Sequence, residues 1–248
     1  MKIACIIPAR YASTRFLGKP LAMLGAKPMI QHVYEKSREV KVFDFVAVAT
    51  DSQLIYDVVM SFGGKAIFTS EHHQSGTDRI AEAVINAELK NFDYIVNVQG
   101  DEPLIEPAQI EELIQLLDGK TEIATLVKQI SKQEDLFNLN VVKAVVASNQ
   151  SALYFSRHPI PYLRGVEEKD WLSKEMHFKH IGMYAYKREV LMAISKLSPS
   201  PLENAESLEQ LRWLENGFQI KAAQTAFESI GIDTPEDLLK AIERISKG

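Results

Sequence analysis

The chain has 248 residues, of which 46% are hydrophobic and 25% charged, so it holds enough apolar material for one large α/β domain or two small ones. This composition excludes intrinsic disorder as the main character. The net charge of −5, from 28 basic and 33 acidic residues, disfavours a duplex nucleic-acid binder, whose affinity rests on a basic face.

The first half of the chain alternates short apolar runs with helical patterns, which is typical of βαβ units and a mostly parallel sheet. The predicted strands are Lys2–Ile7, Phe45–Thr50, Lys65–Phe68, Tyr94–Val98 and Glu122–Lys128. The predicted helices are Pro28–Arg38, Ser52–Phe62, Thr77–Leu89 and Pro107–Leu117. The expected fold is an α/β three-layer sandwich.

The pattern changes in the second half. From about Val141 to Tyr186, strands of antiparallel type surround a polar loop, so we interpret 141–186 as an inserted subdomain of a single domain spanning 1–248. A helix at Ser207–Asn216, a strand at Gln219–Thr225 and a last helix beginning near Thr234 complete the predicted order.

Cys5, the single cysteine, lies within the first predicted strand, which favours a buried structural role over a nucleophilic one. Without a second cysteine no intramolecular disulfide forms, and a reducing cytoplasm fits. No uncharged apolar stretch approaches membrane-spanning length, and the N-terminus does not have the pattern of a signal peptide. Neither a membrane nor a nucleic acid is therefore an expected partner.

One rim of the predicted sheet should carry the ligand site, because ligands of open α/β sheets bind beyond the carboxyl ends of the strands. The loop after the first strand places Arg10, Arg15 and Lys19 among small residues, a composition that suits a triphosphate. It has neither Walker nor Gly-x-Gly-x-x-Gly spacing. The alternative is a solvated basic loop.

Three further segments have ordinary explanations when taken alone. Ser75 or Thr77 can cap the following helix without any ligand. Asp101 ends the central strand in a turn where acids are usually solvated, and Asp233 could simply be a helix N-cap. The carboxylates and the three cations together indicate a metal–nucleotide site.

In the predicted insertion, strand alternation places His180, Gly182, Tyr184 and Tyr186 on one face. A lone histidine there is more often structural than functional.

Seven segments together resemble the 3-deoxy-manno-octulosonate (Kdo) cytidylyltransferases, also called CMP-Kdo synthetases. No single motif decides the resemblance, but the order of the motifs along nearly the whole chain does. The segments are Ile7–Arg10 with Gly18–Leu21, Ser75–Arg79, Asn97–Pro103, Tyr154–Arg157 with Pro159–Tyr162, Lys179–Gly182, Glu206–Arg212 and Gly231–Pro235. Leu17 departs from the family, which usually has proline there; this removes no charged ligand.

The resemblance implies a glycosyltransferase-A-like (Rossmann-like) nucleotidyltransferase fold with an inserted dimerisation and sugar-binding subdomain. It also implies a cytoplasmic homodimer that uses Mg²⁺ to make CMP-Kdo and pyrophosphate from CTP and Kdo for lipopolysaccharide biosynthesis. The implied catalytic residues are Lys19, Asp101 and Asp233, of which Asp101 and Asp233 hold the metal. The implied nucleotide-binding residues are Pro8, Ala9, Arg10, Arg15, Lys19, Ser75, Arg79 and Gln99. The implied sugar-binding residues are Gln99, Arg157, His180, Tyr184, Glu209 and Gln210.

Two alternative functions, and the identity of the sugar and of the metal, stay open at this point. A CMP-sialic acid synthetase shares the architecture and a related basic loop, but not the Ser75–Arg79 and Lys179–Gly182 segments. A non-catalytic nucleotide-binding module is possible on the same fold, although Lys19, Asp101 and Asp233 argue against it. The sequence distinguishes neither Kdo from its 8-amino analogue nor Mg²⁺ from Mn²⁺.

Overall fold

The computed structural model describes residues 1–12, 15–228 and 231–247, and the chain divides into two compact units. Unit 1 comprises Met1–Glu111 and Ser229–Gly248, and unit 2 comprises Glu112–Glu228. These boundaries differ from the predicted single domain with an insertion at 141–186, which stays a prediction.

Unit 1 contains a parallel sheet made of β1 (Ile3–Ala9), β4 (Phe45–Thr50), β5 (Ala66–Phe68) and β6 (Tyr94–Asn97). Its strand order is β6-β1-β4-β5. β1 pairs with β4 from Ala4 opposite Phe45 to Ala9 opposite Thr50, and with β6 on its other edge. The strands are near-continuous buried runs, as parallel strands usually are.

The other elements of unit 1 are the hairpin strands β2 (Met23–Leu24) and β3 (Lys27–Pro28) and the helices α1 (Met29–Glu39), α2 (Gln53–Ser61), α3 (Gly76–Asn86) and α10 (Pro235–Lys247). Helix α4 (Pro107–Ile114) spans the boundary between the units in the sequence. An apolar cluster in unit 1 contains Leu24, Met29, Ile232 and Ala241. It brings the C-terminal segment to the start of α1, although more than 200 residues separate them in sequence.

Unit 2 contains the strands β7 (Ile123–Gln129), β8 (Lys143–Val146), β9 (Ala152–Ser156), β10 (Phe178–Lys187) and β11 (Ile220–Gln224). β7 pairs in parallel with β11 and antiparallel with β10, and β8 pairs antiparallel with both β10 and β9. Its helices are α5 (Gln133–Phe137), α6 (Trp171–Lys174), α7 (Arg188–Ile194), α8 (Pro201–Glu206) and α9 (Glu209–Glu215).

The predicted strands are confirmed within one or two residues at each end, and so is the antiparallel pairing between 141 and 186. The predicted helix Ser207–Asn216 is wrong at its start. Ser207 has left-handed backbone angles (φ 52°, ψ 50°) and ends α8, and the following helix begins only at Glu209.

Cys5 is buried in β1, and burial raises the pKa of its thiol to about 12, so the prediction of an inert, structural cysteine is confirmed. Within the described part of the chain, no helix is both long and apolar enough to cross a membrane.

Candidate active site

A pocket opens in unit 1 at the carboxyl end of β1, which lies between β4 and β6. This is the position that the crevice rule for open α/β sheets predicts. The pocket is lined by loops that follow β1, β5 and β6 and by the segment before α10. Its lining includes every residue predicted to bind the nucleotide or the metal: Pro8, Ala9, Arg10, Arg15, Lys19, Ser75, Arg79, Gln99, Asp101 and Asp233.

Gly100 fixes how closely the loops after β1 and β6 approach each other. A Cβ atom at Gly100 would lie 2.8 Å from the carbonyl oxygen of Pro8, a separation that real Cβ atoms essentially never show. The glycine therefore allows the turn after β6 to lie against the end of β1. This brings Gln99 and Asp101 to the start of the basic loop.

The described part of the basic loop is anchored at both ends. The N–H of Gly18, whose φ is 68°, donates to the carbonyl of Tyr11 at 2.9 Å. Phe16 packs against the apolar cluster that contains Ile232. Leu17, which departs from the family pattern, is exposed, so the substitution falls on a surface position.

Lys19 bridges the two carboxylates that were predicted to bind metal. Its Nζ lies 2.7 Å from Asp101 Oδ2 and 3.1 Å from Asp233 Oδ1, and Arg15 Nη2 lies 3.1 Å from that same Asp233 oxygen. The Lys19 side chain is only 13% exposed, so its ammonium is held in place. Both carboxylates are thus within reach of one cation.

The alternative in which Asp233 is an N-cap does not describe this geometry. Thr234 caps α10 instead, because its Oγ1 accepts from the N–H of Asp237 at 3.2 Å. The Asp237 carboxylate accepts in return from the N–H of Thr234 at 3.2 Å. The carboxylate of Asp233 consequently faces Lys19 and Arg15 and serves no capping role.

Ser75 and Arg79 both have structural partners as well as a place in the pocket wall. Ser75 Oγ accepts from the N–H of Asp78 at 3.1 Å, so the capping interpretation of Ser75 is confirmed. Arg79 is buried and donates to Thr69 Oγ1 at 2.7 Å and to Asp51 Oδ2 at 2.6 Å. Asp51, at the end of β4, therefore orients a predicted nucleotide residue and was not itself predicted as part of the site.

His73 also lines the pocket, although the sequence analysis assigned it no role. Its Nε2 contacts the carboxylate of Glu82, which also accepts from the N–H of Ser70 at 2.8 Å. Burial raises the pKa of Glu82, but the bonds from Ser70 and His73 outweigh it and the net pKa is lowered. The only sequence signal was the position of His73, just before the capped helix.

Most of the predicted sugar-binding residues lie in unit 2. β10 has a register shift between Ile181 and Tyr184 against β7. Thr125 Oγ1 lies at this shift, 3.1 Å from the carbonyl oxygen of Ile181 and 2.9 Å from that of Met183, and its single proton is donated to one of them at a time. The rings of His180 and Tyr184 lie 5.2 Å apart. The predicted shared face of this strand is therefore present, with a bulge that alternation alone did not indicate.

The surroundings of this strand keep its side chains neutral. Burial lowers the pKa of His180 to about 3, and its Nε2 contacts Thr125 Oγ1 at 3.1 Å. Burial, then the neighbouring Tyr186 and Glu209, raise the pKa of Tyr184. Within the part of the chain that the structure describes, the buried Tyr184 hydroxyl has no hydrogen-bond partner.

Three comparisons with known proteins bear on this site. Residues 4–230 match the cytidylyltransferase family. A 3-deoxy-manno-octulosonate cytidylyltransferase of Cytophaga hutchinsonii is 54% identical over 241 residues, which cover 97% of this chain and 96% of that protein. The chain belongs to the 3-deoxy-manno-octulosonate cytidylyltransferases.

Solved structures agree with this family. A CMP:2-keto-3-deoxy-manno-octonic acid synthetase complexed with CTP matches with a TM-score of 0.92 at 43% identity, over 100% of this chain and 99% of that one. A 4-diphosphocytidyl-2C-methyl-D-erythritol synthase of Anaerococcus prevotii matches with a TM-score of 0.64 at 13% identity, over 99% and 96%, and shows the fold alone. The predicted α/β fold of a nucleotidyltransferase is confirmed.

Proposed function

We propose that this member of the 3-deoxy-manno-octulosonate cytidylyltransferase family converts CTP and Kdo into CMP-Kdo and pyrophosphate. The observation that carries the proposal is the meeting of Lys19, Asp101 and Asp233 in the crevice at the end of β1. Cations and carboxylates in direct contact suit a ligand that brings both phosphates and a metal ion.

The reaction needs an in-line displacement at phosphorus. The oxygen of the anomeric C2 hydroxyl forms a bond to the α-phosphorus, the bond from that phosphorus to the pyrophosphate oxygen breaks, and the hydroxyl proton is released. The work of the protein is to position two anions and to neutralise the charge that develops. We assign phosphate binding to Arg10, Arg15 and Lys19, and the nucleotide walls to Pro8, Ala9, Ser75, Arg79 and Gln99.

The donors in the pocket fit a magnesium ion. Magnesium is usually held by one or two carboxylates, together with water and substrate phosphates, and Asp101 and Asp233 reach a common cation here. When bound, Mg²⁺ polarises the α-phosphate and lowers the pKa of the attacking hydroxyl.

The ion pairs keep the pocket organised in the absence of substrate. Lys19 and Arg15 hold Asp233, and Lys19 holds Asp101, so each group already has a partner of opposite charge. With metal–CTP bound, Lys19 and Arg15 would pair with phosphate oxygens, and Asp101 and Asp233 would hold the metal ion. The exchange leaves no charge without a partner, which limits the desolvation cost of binding.

We assign the sugar to His180, Tyr184, Glu209 and Gln210, together with the predicted contact from Gln99; Arg157, which the resemblance also implies, is considered separately below. A neutral histidine, a tyrosine hydroxyl, an amide and a carboxylate offer both donors and acceptors to a polyhydroxylated acid. Each group that a wrong sugar leaves unpaired costs about 1–3 kcal/mol, so selectivity would be polar in origin.

The proposal has three further parts. The product serves lipopolysaccharide biosynthesis, the enzyme acts in the cytoplasm, and it is a homodimer assembled through the predicted 141–186 insertion. The chain has a single cysteine, Cys5, and therefore no intramolecular disulfide, which is compatible with a reducing compartment.

The test is pyrophosphate release with CTP, Mg²⁺ and one acid sugar at a time, using Kdo, 8-amino-Kdo and N-acetylneuraminate. We expect the highest kcat/KM with Kdo and no release without sugar. Equal use of N-acetylneuraminate would favour a sialic-acid enzyme, and no turnover with any sugar would favour a binding module. Replacing Mg²⁺ with Mn²⁺ in the same assay compares the two metals.

A further inference from the structure

Arg157 directs its guanidinium at the backbone of its own unit. Nε donates to the carbonyl of Glu206 at 2.7 Å, Nη2 to that of Ser207 at 3.2 Å and Nη1 to that of Leu139 at 3.1 Å. The Glu206 carboxylate returns the contact by accepting from the N–H of Arg157 at 2.9 Å and from Ser156 Oγ at 2.7 Å. The end of β9 is thus joined to the end of α8 by four hydrogen bonds.

This network holds a turn that its sequence disfavours. Ser207 ends α8 with φ 52° and ψ 50°, a left-handed conformation that is unfavourable for any residue with a Cβ and is usually occupied by glycine. The last carbonyls of a helix also have no partners within the helix. Arg157 supplies donors to two of them, those of Glu206 and Ser207, and so stabilises the left-handed turn.

The turn sets the direction of the next helix. Glu209 and Gln210, the first two residues of α9, follow Ser207 by only two and three residues. Trp213 of the same helix packs on the ring of Tyr184, with centroids 5.1 Å apart. The backbone at Ser207 therefore determines where the first side chains of α9 lie relative to β10.

We propose that Arg157 is a positioning residue, which holds the Glu206–Ser207 turn so that Glu209 and Gln210 are placed beside Tyr184, and that it does not act by touching the sugar. This inference rests on the proposed function, because it takes those three residues as the sugar set. It replaces direct sugar contact by Arg157 with an action through the backbone.

The deciding experiment adds one of two substitutions at Ser207 to an Arg157 variant and compares the two double variants. Arg157→Met keeps most of the stem and removes the donors, and we expect kcat/KM for Kdo to fall about 10- to 100-fold, as displaced binding groups do. Adding Ser207→Gly should restore most of it, because glycine adopts the left-handed turn without help. Adding Ser207→Ala should restore nothing, because alanine keeps the Cβ. The KM for CTP should not change, and Arg164→Gln, an exposed arginine of the same unit, should behave as wild type.

Direct contact with the sugar predicts the opposite pattern. Arg157→Met would then not respond to Ser207→Gly, and Arg157→Lys, which keeps the charge, would retain most activity. Arg157→Lys also serves if Arg157→Met does not fold; we expect it to lose activity and to recover with Ser207→Gly. Absence of this recovery would overturn the inference.

Hydrogen exchange separates this inference from the proposed function. Arg157→Lys should speed amide exchange across the α8–α9 junction, between residues 206 and 211, and unchanged exchange there would overturn the positioning role. This readout does not require turnover. A wild-type chain that forms no CMP-Kdo would contradict the proposed function, while the exchange rates would still decide whether Arg157 holds the turn.

Discussion

In the candidate pocket, the Lys19 ammonium forms ion pairs with both Asp101 and Asp233. Lys19→Met removes the ammonium, leaves the two carboxylates to repel each other and removes a phosphate contact. A hydrogen bond to a charged group contributes roughly 1.5–3 kcal/mol, so kcat/KM for CTP should fall about 10- to 100-fold. Steady-state kinetics measure this, with Lys27→Met as the control, because Lys27 pairs with exposed Glu35 instead. Unchanged kinetics in Lys19→Met would contradict the assignment of phosphate binding to Lys19 and leave the basic loop a structural role only.

The two carboxylates should matter for turnover much more than for stability. The side chains of Asp101 and Asp233 are 33% and 42% exposed, and ion pairs at such positions contribute about 1 kcal/mol or less. Asp101→Asn should therefore shift the melting temperature little, while turnover falls by orders of magnitude because a metal ligand is lost. Titration with Mg²⁺ and calorimetry of the same sample measure both. Asp57→Asn, at an exposed position of α2, is the control. Near-normal turnover of Asp101→Asn at saturating Mg²⁺ would contradict the metal assignment.

At the scale of single elements, the approach of the β1 and β6 ends gives a stability prediction. Gly100→Ala places a Cβ 2.8 Å from the Pro8 carbonyl oxygen, and this backbone atom has no flexible side chain to move aside. We expect destabilisation by roughly 1–3 kcal/mol, the range for overpacking, together with loss of CTP binding. Gly76→Ala is the matched control, because its Cβ would lie at an ordinary 3.6 Å from Pro8 Cγ. Equal melting temperatures for the two variants would contradict this account of Gly100.

β10 gives a prediction of pH dependence. His180 has an ordinary pKa of 6.5 in the unfolded chain and about 3 in the folded one, because burial disfavours its charged form. Between these values the unfolded chain binds one more proton than the folded chain, so stability falls as the pH is lowered from about 6.5 to 3. His180→Gln, which keeps a polar group near Thr125, should flatten the part of this slope that is due to His180. Urea unfolding at several pH values measures it, and identical slopes in wild type and variant would contradict the buried-histidine account.

The elements also show where reasoning from sequence works and where it fails. β1 and β4 were predictable because a parallel strand buried on both faces is a plain apolar run. The break at Ser207 was not, because its cause lies in Arg157, about 50 residues away, and helical spacing continues across it. The bulge in β10 likewise depends on Thr125 of another strand. The local sequence pattern does not indicate a turn or a bulge that is stabilised by a hydrogen-bond donor distant in the sequence.

The candidate pocket was predicted better than the details inside it. The crevice rule for open α/β sheets and the composition of the basic loop indicated the residues that line the pocket, because the carboxyl ends of the strands determine where the ligand site lies. The sequence did not indicate that Arg79 would pair with Asp51 or that His73 would contact Glu82. It also did not indicate that Thr234 would cap α10, so that the Asp233 carboxylate pairs with Lys19. Each of these depends on which of several possible partners is nearest in space, and neither residue type nor spacing determines that.

At the scale of the whole molecule, the predicted nucleotide set belongs to unit 1, and the predicted sugar set, apart from Gln99, belongs to unit 2. The two units therefore have different proposed roles. Unit 2 also contains the predicted insertion, to which the proposal assigns self-association.

Self-association is the last prediction. Large apolar side chains within 141–186 are exposed, with Leu153 of β9 at 60% and Tyr162 at 74%, and such groups often mark a protein interface. We expect a dimer by light scattering at micromolar concentration. A two-fold interface is formed by the same surface of both protomers, so each substitution is present in the interface two times. Leu153→Arg should therefore give a monomer by placing two charges in the interface, while Met60→Arg, at an exposed position of unit 1, should leave the dimer intact. A wild-type particle of monomer mass at all concentrations would contradict the homodimer, and a dimer that survives Leu153→Arg would exclude β9 from its interface.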